Sequence, residues 1–286
     1  MIHLWMRKVY NLLKSAFILM LLVSGVYPMS LSAQSESVLL RVRYAGKWWS
    51  YRESKAKSED VFLLEVGTKG RSNFYSEARQ MRDAVIREMA DKGGTVNEMS
   101  QALARLPRSQ TMHKFYINYP RKGLLRHELF LHRNVYYEEE YEVPQWELLS
   151  DTMSIAGYHC QAAVTKYRGR EWKVFYAPDI AVNAGPWKLS GLPGLILSAA
   201  DSTGDFSFEC IGIHYLTPDE QPQVLPLPSA KRYIKCTRDE FRNMLIFSYK
   251  DPIGFKRSVG DPTGMWDVDG KPMIPPSRTV VLTELQ

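Results

Sequence analysis

The sequence predicts a mainly β, β-rich α+β chain: an antiparallel meander with a helical insertion near residues 76–106 and a C-terminal helix near 237–250. Strand-length runs of apolar or alternating residues follow one another with short links, which argues consecutive antiparallel strands rather than alternating β and α units. The apolar period lengthens to that of a helix only in the two helical stretches. The 286 residues are 45% hydrophobic and 24% charged, a globular composition that excludes disorder and supports one large core.

The N-terminus comes first. Arg7, Lys8 and Lys14 precede an apolar run from Ala16 to Val23, and the small residues Ser30, Ser32 and Ala33 precede polar Gln34 and Ser35. This pattern predicts a secretory signal peptide over 1–33, cut after Ala33 or Ser32, and a single β-rich domain over 34–286. The apolar run is far shorter than the ~20 residues that span a bilayer. No cysteine lies at the junction for a lipid anchor, so the expected product is periplasmic or secreted, with no membrane span. Without residues 1–33 the formal charge falls from +6 to +3, too small a balance to suggest a nucleic-acid partner.

Ser37 to Tyr44 alternates with period two and reads as the first strand; Val61 to Val66 reads as the second. Residues 68–72 carry loop chemistry and lead into Phe74 and Tyr75. Ala78, Met81, Val85 and Met89 then trace an amphipathic helical face that Gly93-Gly94 stops. Thr95 and Glu98 form a capping box for a second helix through Met99, Ala102, Leu103 and Leu106, ending at Pro107.

Strands follow at 113–119, 124–132, 135–141, 154–167, 171–176, 195–200 and 206–215. Arg168-Gly169 and Asp201 to Asp205 read as tight turns between them. Residues 217–229 hold four prolines and read as a surface connector. Thr237 and Glu240 open the C-terminal helix, Asp251-Pro252 ends it, and Thr279 to Leu282 reads as a closing strand.

One segment stands apart: Gly185-Pro186-Trp187-Lys188-Leu189-Ser190-Gly191-Leu192-Pro193-Gly194-Leu195-Ile196. It reads as a turn, an aromatic anchor, a second turn and a buried strand, with Pro193-Gly194 matching the centre of a type II turn. The segment is similar to the GLPGLI family of exported Bacteroidota proteins, named after the hexapeptide Gly191 to Ile196. The resemblance continues through Gly157 to Ala162, through Trp172 to Ile180, and at Ser72-Asn73-Phe74-Tyr75-Ser76, so it covers most of the chain after residue 33. The sequence departs from the family pattern in having no lysine before Ala162 and in placing Phe175 where a tryptophan is usual. The resemblance implies a curved antiparallel meander forming a bowl or open half-barrel. One related domain resembles the N-terminal bowl-like module of a bacterial peptide N-glycosidase. The family carries no catalytic residue set, and a structural role is expected for Gly185, Pro186, Trp187, Gly191, Leu192, Pro193, Gly194, Leu195 and Ile196.

Candidate chemistry is sparse. His127-Glu128-Leu129-Phe130-Leu131-His132 spaces its histidines by five, which in a strand directs them to opposite faces and away from a shared zinc ion. His159 and Cys160, with His113 or His214, form a soft donor set, but adjacent strand residues also face opposite ways. Asp267-Val268-Asp269-Gly270 begins like a calcium loop yet has Arg278 at the twelfth position, so a turn is expected. Glu138, Glu139 and Glu140 offer carboxylates for glycoside chemistry, against a solvated strand face as the plainer reading. No nucleophile elbow, phosphate loop or dinucleotide fingerprint occurs. Three cysteines permit at most one internal bridge, with Cys160 and Cys210 as a conceivable cross-strand pair.

The expectation is therefore a non-enzymatic exported protein that binds a ligand or an envelope partner, such as an outer-membrane transporter, through an aromatic-rich concave sheet. Trp172, Tyr176 and Trp187 are its expected binding surface. No cofactor is expected. The alternatives are a hydrolase acting on glycans or peptides, and a metal-binding envelope protein using His159 or Cys160.

Overall fold

Alternation along the strands lays the side chains out in two sets. In β1 (Val38–Trp48), Val38, Leu40, Val42 and Tyr44 are buried, while Leu39, Arg43 and Lys47 face out. The computed structural model describes residues 36–217, 220, 225, 233–260 and 275–285. The signal-peptide segment, most of the proline-rich connector and the calcium-like stretch at Asp267 lie outside them.

Beyond β1 the strands are β2 (Ser58–Gly67), β3 (Ser72–Ser76), β4 (Lys114–Ile117), β5 (Leu124–Phe130), β6 (Asn134–Glu140), β7 (Glu147–Ile155) and β8 (Tyr158–Tyr167). Then come β9 (Arg170–Ala177), β10 (Leu195–Asp201), β11 (Phe206–Tyr215) and β12 (Ile234–Lys235). All join one open twelve-stranded sheet in the order β12-β6-β5-β4-β3-β2-β1-β11-β10-β9-β8-β7. Pairing is antiparallel throughout, except between β12 and β6.

The order contains two meanders, β1 to β6 and β7 to β11, joined where β11 pairs with β1. The chain must therefore pass from β6, beside one edge, to β7 at the other through residues 141–146 alone. Laid flat, the ten strand spacings between them would measure about 48 Å, whereas this link reaches roughly 24 Å fully extended. The sheet must curve so that the β6 and β7 sides approach. Side chains tie them together: Arg168, in the β8–β9 turn, pairs with Glu139 of β6 at 3.2 Å.

The glycine-rich segment sits at this seam. Tyr141 Oη donates to Lys188 O at 2.8 Å, and Trp146 Nε1 donates to Ser190 O at 2.7 Å. The sequence places the positive φ at Gly194, but the chain puts it at Gly191, with φ of 99°. Gly194 is required for another reason: a Cβ there would lie 2.3 Å from Ala177 O. Trp187 also takes a positive φ, 57°, rare for a bulky residue, and seats its ring at 5.2 Å from that of Trp172.

Other boundaries differ from the sequence reading. The stretch 154–167 is not one strand: Ala156 and Gly157, with φ of 50° and 84°, form a hairpin turn between β7 and β8. Phe74 and Tyr75 belong to β3, buried between β2 and β4. Asp251-Pro252 ends one helix and caps the next, since Asp251 accepts from Gly254 N and proline suits the first helical position. The expected closing strand over 279–282 is reduced to a single bridge between Val280 and Tyr51.

Four helices complete the described residues: α1 (Glu77–Asp91), α2 (Val96–Ala104), α3 (Arg238–Lys250) and α4 (Pro252–Ser258). The capping boxes at Thr95/Glu98 and Thr237/Glu240 form as the sequence predicts. The α1 stripe does not seal a core, because only Ala78 is buried and Met81 stays 42% exposed. α3 instead inserts Phe241 into a cluster with Ile117, Leu125, Leu129, Val135 and Tyr137. The larger core gathers residues from β1, β2, β3 and β8 to β11 with Trp187, Leu189 and Leu192 of the seam. No described helix is long and apolar enough to cross a membrane.

Candidate functional site

On the sheet face that carries Tyr44 and Phe62, aromatic rings accumulate because several strands present one in the same phase. Phe62 and Phe74 stack at 4.9 Å, and Phe208 meets both edge-on at 5.5 and 5.7 Å. Trp48 packs on Phe62 at 5.7 Å. These rings, with Phe206, form the apolar wall of a cavity of about 120 Å³. α3 contributes Phe241, Leu245 and Tyr249 to its lining, and Arg238 and Arg242 also border it.

The chain end closes over this space. Val281 N donates to Ser50 O at 3.1 Å, Leu285 N donates to Arg168 O at 3.0 Å, and the Arg170 guanidinium donates to Leu282 O. Arg170 is itself fixed by Asp201 at 2.6 Å and Asp205 at 3.0 Å. Residues 280–284 thereby line the cavity together with the aromatic wall.

A connected polar chain runs beside the rings. Lys188, with no exposed surface, donates to Tyr137 Oη at 2.8 Å and pairs with Glu284 at 2.6 Å and Glu139 at 3.3 Å. Tyr137 Oη donates to Glu284 Oε1 at 3.3 Å and lies 3.2 Å from His127 Nδ1. His127 Nε2 lies 2.7 Å from His113 Nδ1.

Burial lowers the His127 pKa well below its ordinary value, helped by His113 and Lys188. His113 keeps some exposed surface, yet burial, with Lys188 adding and Glu284 opposing, lowers it to about 4. Burial, followed by the charges of Glu284 and Glu139, raises Tyr137 well above its ordinary range. Burial would raise Glu284 too, but Lys188, Arg168 and Arg238 bring it below the usual carboxylate value.

Two neutral imidazoles in series have a definite chemical capability. With the Tyr137 proton directed at Glu284, His127 Nδ1–H donates to Tyr137 Oη and His127 Nε2 accepts from His113 Nδ1–H. Turning the Tyr137 proton to His127 reverses both rings, so the outer nitrogen of His113 changes from acceptor to donor. The chain can thus adapt its hydrogen-bonding end without carrying net charge.

The residues singled out from sequence fare unevenly. Trp172, Tyr176 and Trp187 do not form the expected exposed surface: they are 0%, 2% and 2% exposed, because their strand phase and the seam turn them into the core. Trp187 alone of these also lines the cavity. Cys160, Cys210 and Cys236 are free thiols. Cys160 and Cys210 stand on β8 and β11 with β9 and β10 between, so they are not the cross-strand neighbours that the pairing assumed. His159 is exposed while Cys160 is buried, His214 pairs with Glu220, and His113 is engaged by His127, so no shared metal site forms from them. Among the described residues, no group of three or more His, Cys, Asp or Glu is placed to hold a metal.

The glutamates are not a solvated run. Glu138 meets Arg126 and Lys235, Glu139 meets Lys188, Arg168 and Arg238, and only Glu140 is well exposed, beside Arg121. His127 is buried in β5, whereas His132 lies beyond the strand's end with φ of 55° and is exposed, so the expected alternation within one strand does not extend to it.

The sequence reading missed Tyr137, Lys188 and Glu284 and did not link His113 to His127. A local signal existed: a lysine inside an apolar motif, and Phe115, His127 and Tyr137 in one alternation phase across three paired strands. Glu284 had none.

No family model and no curated protein matches the chain. Among solved structures, the chain is similar to "Structure of PNGF-II in P21 space group" at 14% identity and TM-score 0.47, and to "Structure of PNGF-II in C2 space group" at 15% and 0.48. Each match covers 74% of this chain, which spans 34% of the PNGF-II chain.

Proposed function

We propose that the chain is an exported, non-enzymatic protein of the GLPGLI family that binds a small ligand in the hollow of a bowl-shaped sheet. The carrying observation is the aromatic-walled cavity of about 120 Å³ beneath the C-terminal segment, bordered by a neutral, adaptable hydrogen-bonding chain. Apolar walls with a few converging polar groups are the usual make-up of ligand sites. The curvature that the β6–β7 link demands supports the bowl. The basic N-terminus with its short apolar run and small residues supports export.

Binding is preferred over hydrolysis because the inward carboxylates are engaged. Glu139 and Glu284 both pair with Lys188, and that ammonium, with Arg168 and Arg238, holds the Glu284 carboxyl below its usual range against the effect of burial, which makes it a weak general base. A metal role through His159 or Cys160 loses to their opposite facing.

Mass spectrometry of the full chain, expressed with its own N-terminus in an exporting bacterium, tests both halves. The denatured mass is expected to lack residues 1–33, and the native mass to exceed it by one small molecule. A retained N-terminus would sink the export reading. A native mass without increment, in a protein that also takes up no ring compound added to it, would sink the ligand reading.

A further inference from the structure

The cavity restricts the ligand's size. Its volume of about 120 Å³ is close to that of the ~150 Å³ apolar cavity known to take up benzene. A single ring matches that volume.

Its polar groups restrict the ligand's chemistry. Trp187, 2% exposed, lines the cavity, and its Nε1–H has no acceptor. Glu284 lines it too, and while Oε1 takes Lys188 and Tyr137, Oε2 is buried with no donor. One buried donor and one buried acceptor therefore stand unmatched, and each such group is costly to leave so.

Charge decides between ligand classes. Lys188 is taken by Tyr137, Glu139 and Glu284; Arg238 reaches Glu139 at 3.5 Å; Arg242 is exposed. Among the described residues that line the cavity, no lysine or arginine is buried and left to receive an anion, and a carboxylate would confront Glu284 Oε2. A hydroxyl supplies both an acceptor and a donor on one atom.

We propose that this cavity takes a neutral, single-ring compound bearing a hydroxyl, whose oxygen accepts from Trp187 Nε1–H and whose proton is donated to Glu284 Oε2. This rests on the ligand-binding reading above. The adaptable nitrogen of His113 then complements whichever ring substituent reaches it.

Calorimetry and ligand-observed NMR on the full chain, with phenol, toluene and benzoate as probes, test it. Phenol is expected to bind roughly tenfold or more tightly than toluene, because a site built for a hydroxyl rejects the analogue lacking it. Benzoate is expected to bind least. Glu284→Gln, which keeps an oxygen for Lys188 but offers the ligand an N–H in place of the acceptor, and Trp187→Phe, which removes the N–H end of the ring system, should each weaken the preference for phenol while toluene still binds. If Trp187→Phe does not fold, Glu284→Gln decides alone. Toluene or benzoate binding as well as phenol, or a preference unchanged in Glu284→Gln, overturns the hydroxyl assignment and leaves the cavity reading standing. Failure of all three probes to bind overturns the cavity reading itself.

Discussion

Lys188 shows how one side chain fixes this architecture. It comes from the seam, Glu139 from β6 and Glu284 from the chain end, and the ammonium joins all three without exposure to water. Removing one partner of a buried ion pair leaves the others uncompensated, at about 3–5 kcal/mol. Lys188→Met is therefore expected to lower stability by about that amount, measured by urea unfolding. A loss below 1 kcal/mol would mean that water reaches the two carboxylates. The same burial explains why Trp172 and Tyr176 serve the core: each stands in the buried phase of β9.

At the scale of elements, hairpin chemistry sets the register of the second meander. Arg168 and Gly169, with φ of 53° and 79°, make the turn that the sequence identifies, because glycine beside a polar residue marks it. Ala156-Gly157 makes a similar turn, but alanine hides it, being an unfavoured residue for positive φ. Ala156 is exposed, so Ala156→Asn should relieve this strain without new contacts and raise stability by roughly 0.5–1 kcal/mol. A thermal melt checks it, and an unchanged or lower midpoint would place the strain elsewhere. The α1 stripe illustrates the converse. Its period is helical and the helix forms, yet Met81 remains exposed, since periodicity records amphipathicity and not what covers it.

For the whole molecule, the polar chain couples stability to pH. His113 and His127 have folded pKa values below their ordinary 6.5, so the unfolded chain binds more protons and acid favours unfolding. The His113 contribution is complete above pH 6.5 and is lost as the pH falls toward about 4. Glu284, lowered from 4.5, adds a further loss at lower pH. Melting temperature should therefore decline from pH 6.5 to 4, and His113→Gln should flatten that decline. A wild-type melting temperature constant over this range would contradict neutral, buried imidazoles.

The sequence by itself determined the mainly β class, most strand positions, both capping boxes and the opposite facing of His159 and Cys160, because alternation and capping depend on neighbours a few residues apart. Tertiary structure alone decided the β6–β7 seam, the burial of Trp172, Tyr176 and Trp187, and the joining of His113, His127, Tyr137, Lys188 and Glu284. Lys188 and Glu284 are 96 residues apart, and no local pattern marks either as the other's partner. What brings them together is the sheet's curvature, fixed by a six-residue link between strands at its two sides, which is a property of topology and not of any single segment.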